Sequence, residues 1–216
     1  MAHLSGDRNL RQAFIEGEDI HARTAVEIFG AEIAGPEEKK ELRRMAKTIN
    51  FGIVYGMSAF RLANELKVTR KQAQRYITEY FARYPRVLEY FDKLRESIAG
   101  RGFVETLFGR RRFASEIDTS GRDAGYAERS LINAPIQGSA AEIIKCAMIK
   151  IHRQLERYHG RARMVLQVHD ELVFEVAENI SNEVQGMVVS AMESAVALDV
   201  PIKVDVRSGT SWGEDV

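Results

Sequence analysis

RMVLQVHDELVFEV, residues 163–176, decides the fold class. Two apolar runs, MVLQV (164–168) and LVFEV (172–176), are rich in β-branched and aromatic residues, and three polar residues separate them: His169, Asp170 and Glu171. That pattern predicts a β-hairpin with a tight polar tip. Strand alternation puts Val165 and Gln167 on the opposite side from Leu166 and Val168, and the turn leaves Asp170 and Glu171 projecting. Adjacent carboxylates on a rigid turn suit a hard cation such as Mg²⁺, which takes one or two protein carboxylates plus waters and phosphate oxygens. An ordinary polar turn has the same composition, so the tip alone leaves both readings open.

Outward from the hairpin the chain turns helical. Downstream, a helix is expected over about 180–197, and PIKVDVR (201–207) reads as a further strand. Upstream, a helix over 123–133 is expected to break near Pro135 and resume to about 157. Residues 115–123 read as a loop, and GFVETLFGRRRFA (102–114) as a second hairpin around Phe108-Gly109. The first 100 residues are helical. Asp7, Asp19, Ser58 and Thr69 are placed to cap helices, Pro36 and Pro85 to open them, and Gly30 and Gly100 to end them. The fold class is therefore α+β: a helical part, then a small antiparallel sheet with flanking helices.

Composition excludes several classes. The 216 residues hold 31 Lys+Arg and 31 Asp+Glu, 45% hydrophobic residues, four Pro and one Cys. That is too apolar for a disordered chain and too poor in Pro and Gly for a fibrous one. No apolar run reaches the ~18 residues of a membrane helix, and MAHLSGDRNL has no apolar core of a secretory signal. A single Cys146 excludes an internal disulfide and suits a reducing compartment, so the expected location is cytoplasmic, with no membrane partner. Charge is segregated: residues 1–112 carry 21 Lys/Arg against 15 Asp/Glu, and within 39–75 the ratio is 10 to 2. A basic stretch of that kind attracts phosphate-bearing partners.

The basic stretch contains a patterned helix, PEEKKELRRMAKTINFGIVYG (36–56). Leu42, Ala46, Ile49 and Ile53 fall on one narrow stripe, the face a helix buries. Arg43, Lys47, Phe51 and Tyr55 form a second row at i, i+4, i+8 and i+12. At 100° per residue that row lies roughly 140–150° from the apolar stripe and covers ~18 Å of helix. Two cations followed by two rings match the order of parts in a nucleoside triphosphate, where phosphates pair with cations and a base stacks on a ring; core rings at 51 and 55 beside solubilising cations at 43 and 47 would give the same spacing, which alone leaves both readings open. Asn50, Gly52 and Gly56 are unusual in a plain surface helix.

RRMAKTINFGIVYGMSAF (43–60) resembles the fingers helix of the family A DNA polymerases, the DNA polymerase I type. QVHDELVFEV (167–176) resembles the palm hairpin of that family, and the two motifs stand in the family's order. AERSLINAPIQGSAAEIIK (127–145) resembles the segment lining the template-primer duplex, and DIHARTAVEIFG (19–30) another family segment. The resemblance implies that Arg43 and Lys47 bind the triphosphate, that Phe51 sits by the incoming sugar and base, and that Tyr55 guards the pocket near the template base. It places His21 near the nucleotide phosphates. Phe rather than Tyr at position 51 resembles members that discriminate against dideoxynucleotides. It implies that Asp170 binds metal, with Glu171 beside it, that Gln167 and His169 face the primer end, and that Arg129, Asn133 and Gln137 contact DNA. Catalytic roles then fall to Asp170, Glu171 and Lys47, the cofactor is Mg²⁺, and the partners are template-primer DNA and deoxynucleoside triphosphates, bound by a monomer.

The domain reading that follows is residues 1–30 as entry helices from palm to fingers, 31–100 as fingers, and 101–216 as the palm part, with the hairpin at 163–176. Family members hold two metal ions between two aspartates, the second in a motif of the form DYSQIELR immediately upstream of a segment like AHLSGD. This sequence starts after that point, so the two-metal site is expected to be half encoded here, and the chain alone to bind nucleotide or DNA weakly without polymerising. The alternative is a non-catalytic DNA-binding remnant, which would need the basic stretch and Arg129 but not Phe51 and Tyr55. The sequence holds no P-loop pattern, G-x-S-x-G or H-E-x-x-H.

Overall fold

A computed structural model describes residues 1–30, 35–117 and 124–212. The chain divides into two compact units, Met1–Ile136 and Gln137–Val216. The first holds α1 (Ala2–Ser5), α2 (Arg8–Ile15), α3 (Ile20–Phe29), α4 (Pro36–Val54), α5 (Ala59–Leu66), α6 (Arg70–Arg83), α7 (Pro85–Arg101) and the hairpin β1 (Phe103–Glu105) with β2 (Arg111–Phe113). The division falls within α8 (Ala124–Leu155), and β3 (Ala162–Val168), β4 (Glu171–Val176) and α9 (Ser181–Glu193) complete the second unit. Helices with two small antiparallel sheets make the chain α+β, as the sequence indicates.

The caps explain where helices begin. Asp7 accepts from Leu10 N, Asp19 from His21 N and Ala22 N, and Ser58 from Arg61 N, while Thr69 and Gln72 form a reciprocal capping box. Pro36 and Pro85 occupy first turns, where a missing N–H costs nothing. Asp7 does more than cap: it is buried, and its second oxygen accepts from Arg86 N at 3.2 Å, tying the start of α2 to the start of α7. On α4, Ala46, Ile49 and Ile53 are fully buried, and Leu42 packs with Ala25, Val26, Phe29 and Ala46.

In the second unit, α8 and α9 supply Ala147, Ile151, Leu155, Val184, Met187, Val188 and Ala191 to one apolar cluster. Met164, Leu172, Phe174 and Val176 of the hairpin pack on it. The other side of the hairpin carries the Arg163–Glu175 ion pair at 3.1 Å.

Four expectations are corrected. Pro135 does not break the helix; α8 continues through it, with the ring buried. Burial of Leu131 and Ile132 before it and Ser139 and Ile144 after it holds the turn across the absent hydrogen bond, so packing overrides the local preference. Residues 201–207 form no strand: β3 and β4 pair only with each other among the described residues, and a strand needs a neighbour for its N–H and C=O groups. The last helix ends at Glu193. The strict alternation expected along 164–168 is interrupted, because the register shifts by one residue between Met164 and Leu166 and leaves Val165 as a bulge. Val165 and Leu166 are consequently both exposed, at 48% and 42%. No described helix is long and apolar enough to cross a membrane.

Candidate functional site

α4 presents its second row to solvent. Arg43 and Lys47 are exposed, and Phe51 and Tyr55 remain 46% and 41% accessible although aromatic. Their rings are nearly parallel, with an interplanar angle of 10° and centroids 6.3 Å apart, and the Lys47 ammonium lies 5.9 Å from the Phe51 centroid. Tyr55 is not helical but caps α4; Gly56 follows in the left-handed region at φ 67° and turns the chain into α5. That turn is fastened from α8. Asn133 Nδ2 donates to the Tyr55 carbonyl at 3.4 Å, and a Cβ on Gly56 would stand 3.3 Å from Cγ of Arg129. The segment 127–133 thus packs on the end of the aromatic row. Gln137, four residues on along α8, is exposed in the second unit.

α3 contributes the rest of the face. Arg43 Nε donates to Asp19 Oδ2 at 2.7 Å. Burial pushes the Asp19 carboxyl up, but the Arg43 hydrogen bond, the Ala22 and His21 amides and the Arg43 charge outweigh it and hold it below the ordinary carboxylate range. The His21 ring centroid is 5.7 Å from that of Phe51, and Nδ1 is 2.9 Å from Asn50 Nδ2. Burial lowers the His21 pKa; nearby Asp19 raises it in part, and the Arg43 and Lys47 charges lower it again, so the surroundings favour the uncharged ring. From sequence Asp19 reads only as a helix cap and Asn50 only as unusual in a surface helix, and Thr24 carries no signal. Asn50 had a readable signal, since it lies on the apolar side of α4, four residues after the buried Ala46, where a polar group requires an internal partner.

The acidic tip is simpler. Val168 pairs with Glu171, so the connection has two residues, His169 and Asp170, and Glu171 is the first residue of β4 rather than part of the turn. His169 adopts φ 54°, and Gln167 Nε2 donates to its carbonyl at 3.0 Å. Asp170 and Glu171 are exposed, and neither carboxylate has a partner among the described residues. As donors they suit Mg²⁺, but no group of three or more His, Cys, Asp or Glu able to hold a metal ion occurs among the described residues. The tip therefore shows two exposed neighbouring carboxylates and no closed metal site among the described residues.

A family model described as DNA polymerase family A matches residues 1–214. The chain is 46% identical over 215 residues to DNA polymerase I of Caldicellulosiruptor bescii, covering 99% of this chain and 25% of that protein. It is 47% identical to DNA polymerase I of Pseudomonas aeruginosa over 99% of this chain and 23% of that protein. The chain thus spans about a quarter of the length of these curated relatives. Among solved structures, the POL domain of Pol1 from M. smegmatis, in complex with DNA primer-template and dNTP, matches with a TM-score of 0.87 and 42% identity, over 98% of this chain and 37% of that one.

Proposed function

The chain belongs to DNA polymerase family A, and from that premise we propose that it is the portion of a DNA-directed DNA polymerase that holds the incoming deoxynucleoside triphosphate and supplies one carboxylate turn to the metal site. The observation that carries the reading is the solvent-facing row Arg43, Lys47, Phe51 and Tyr55 on α4, joined by His21. A family match explains the fold. It does not by itself explain why two aromatic rings remain in water with a cation beside them, which a ligand having a flat base and a polyanionic tail does. Lys47 acts as a point charge on phosphate oxygens, Arg43 as a fork once Asp19 gives way, and Phe51 as a stacking surface. Arg129, Asn133 and Gln137 serve the template-primer duplex, with Gln167 and His169 toward the primer end.

Asp170 would hold Mg²⁺, with Glu171 beside it; such an ion, when bound, neutralises charge on phosphate oxygens during nucleotidyl transfer. The turn brings one pair of neighbouring carboxylates, and no group of three or more metal-ligating side chains occurs among the described residues, so in this reading the isolated chain binds and does not extend a primer.

Calorimetric titration of the chain with a dNTP, with and without Mg²⁺ and primer-template, tests this reading. Binding strengthened by Mg²⁺ and weakened by Lys47→Ala and Phe51→Ala is expected, with Asp170→Asn removing only the Mg²⁺-dependent part. Steeply salt-dependent duplex binding that ignores both dNTP and Mg²⁺ would instead establish a non-catalytic DNA-binding remnant.

A further inference from the structure

Asn50 is 8% exposed and sits among apolar neighbours on the inner side of α4. Its Nδ2 lies 2.9 Å from His21 Nδ1, 3.1 Å from Thr24 Oγ1 and 3.5 Å from the Ile20 carbonyl oxygen; the Thr24 hydroxyl gives its one proton to that same carbonyl at 2.8 Å, so its oxygen accepts from the amide. A backbone carbonyl only accepts, so the amide nitrogen and not the oxygen must face Ile20. The same NH₂ group faces His21. A donor there obliges Nδ1 to accept, which leaves the single ring proton of neutral His21 on Nε2.

We propose that Asn50 is a positioning residue for nucleotide binding: its side-chain amide fixes His21 as the Nε2–H tautomer, so that one uncharged N–H donor stands on the face of Arg43, Lys47 and Phe51, available to a phosphate oxygen of the triphosphate. This rests on the reading of that face as the nucleotide site. The charged groups around the ring are Asp19, Arg43 and Lys47. Protonation would set an Nδ1–H against the Asn50 NH₂, so the geometry and the two cations act in the same sense and Asp19 against them. A neutral donor has a use beside two cations, because it adds directionality to a phosphate contact without adding a third positive charge that would repel them. One orientation of the Asn50 amide serves Thr24, the Ile20 carbonyl and His21 together, so what separates a positioning role from a structural one is whether the His21 tautomer follows the residue at position 50.

Long-range ¹H–¹⁵N correlation spectra of the histidine rings test this on the chain as it stands. At pH 7 the His21 signals should show the Nε2–H pattern. Asn50→Leu should mix the two tautomers, and the isosteric Asn50→Asp, whose carboxylate accepts, should convert the ring to an Nδ1–H form and raise its titration midpoint. Asn50→Leu should weaken dNTP binding about twofold, because a mixed ring is competent for only about half of the time, and should add nothing in a His21→Ala background. A wild-type ring with its proton on Nδ1, or charged at pH 7, overturns the proposal without need of any variant. So does a variant spectrum that stays purely Nε2–H, or an Asn50→Leu loss that persists undiminished beside His21→Ala. The Lys47→Ala titration judges the nucleotide face separately: if Lys47→Ala weakens binding and His21→Ala does not, the face stands and the Asn50 proposal falls.

Discussion

The exposed Arg43–Tyr55 row on α4 and the acidic turn between β3 and β4 are built in opposite ways. On α4 the polar groups are held by side chains far away in sequence: Asp19 on Arg43, Asn50 and Thr24 beneath His21, Asn133 on the Tyr55 carbonyl. At the turn the backbone does the holding, through the β3–β4 ladder and the left-handed His169, while the two carboxylates stand free of partners among the described residues. The difference matches the two ligands proposed for these places. A nucleotide has fixed shape and several simultaneous contacts, so a face ordered in advance spares the entropy of ordering it on binding. A Mg²⁺ ion carries its own waters and needs from the protein only well-placed oxygens.

That contrast breaks most visibly if the support under the face is removed. Ile49 is fully buried directly inward of the row. Ile49→Ala should cost about 2–5 kcal/mol in chemical denaturation and should abolish dNTP binding as the α3–α4 packing loosens. Lys47→Ala comes next. It should leave the denaturation midpoint unchanged within ~0.5 kcal/mol, since the side chain is exposed, yet lose about 1.5–3 kcal/mol of dNTP binding, roughly 10–100-fold in Kd. Gly56→Ala is smaller again. At φ 67° an alanine is strained, and its Cβ would press on the Arg129 stem, so about 1–2 kcal/mol of stability should go, measured by thermal denaturation. Because the contact is with Arg129, that variant should also perturb the Arg129 side-chain NMR signals, which a purely local backbone effect would not.

The same contrast explains what could be read from sequence. Caps are local rules, so Asp7, Asp19, Ser58 and Thr69 were legible, as were the apolar stripe of α4 and the exposure of Phe51 and Tyr55 on the opposite side. The two-run pattern of residues 163–176 gave the hairpin. What escaped depends on partners distant in sequence. Nothing near Asn50 announces His21 and Thr24, 29 and 26 residues earlier, and nothing near Asp19 announces Arg43. Pro135 reads as a breaker until burial on both sides of it is known. The bulge at Val165 escaped because a one-residue insertion leaves the composition of a strand unchanged. PIKVDVR alternates as a strand should, but alternation specifies a face and not a neighbour.

The smallest effect is expected at the turn, and its sign matters more than its size. His169 holds φ 54°, where an L side chain is strained and glycine is not. Its ring has no hydrogen bond or ion pair among the described residues, and the Gln167 contact is to its carbonyl, which any residue provides. Relief of strain, about 1–2 kcal/mol, exceeds the roughly 0.5–1 kcal/mol by which glycine favours the unfolded chain, so His169→Gly should raise stability by about 0.5 kcal/mol in paired denaturation curves. The imidazole at this strained position stands on the turn proposed to face the primer end. The same variant should therefore bind primer-template more weakly while folding more firmly. If it folds less firmly, the imidazole supports the turn after all, and the two regions are built more alike than the free carboxylates suggest.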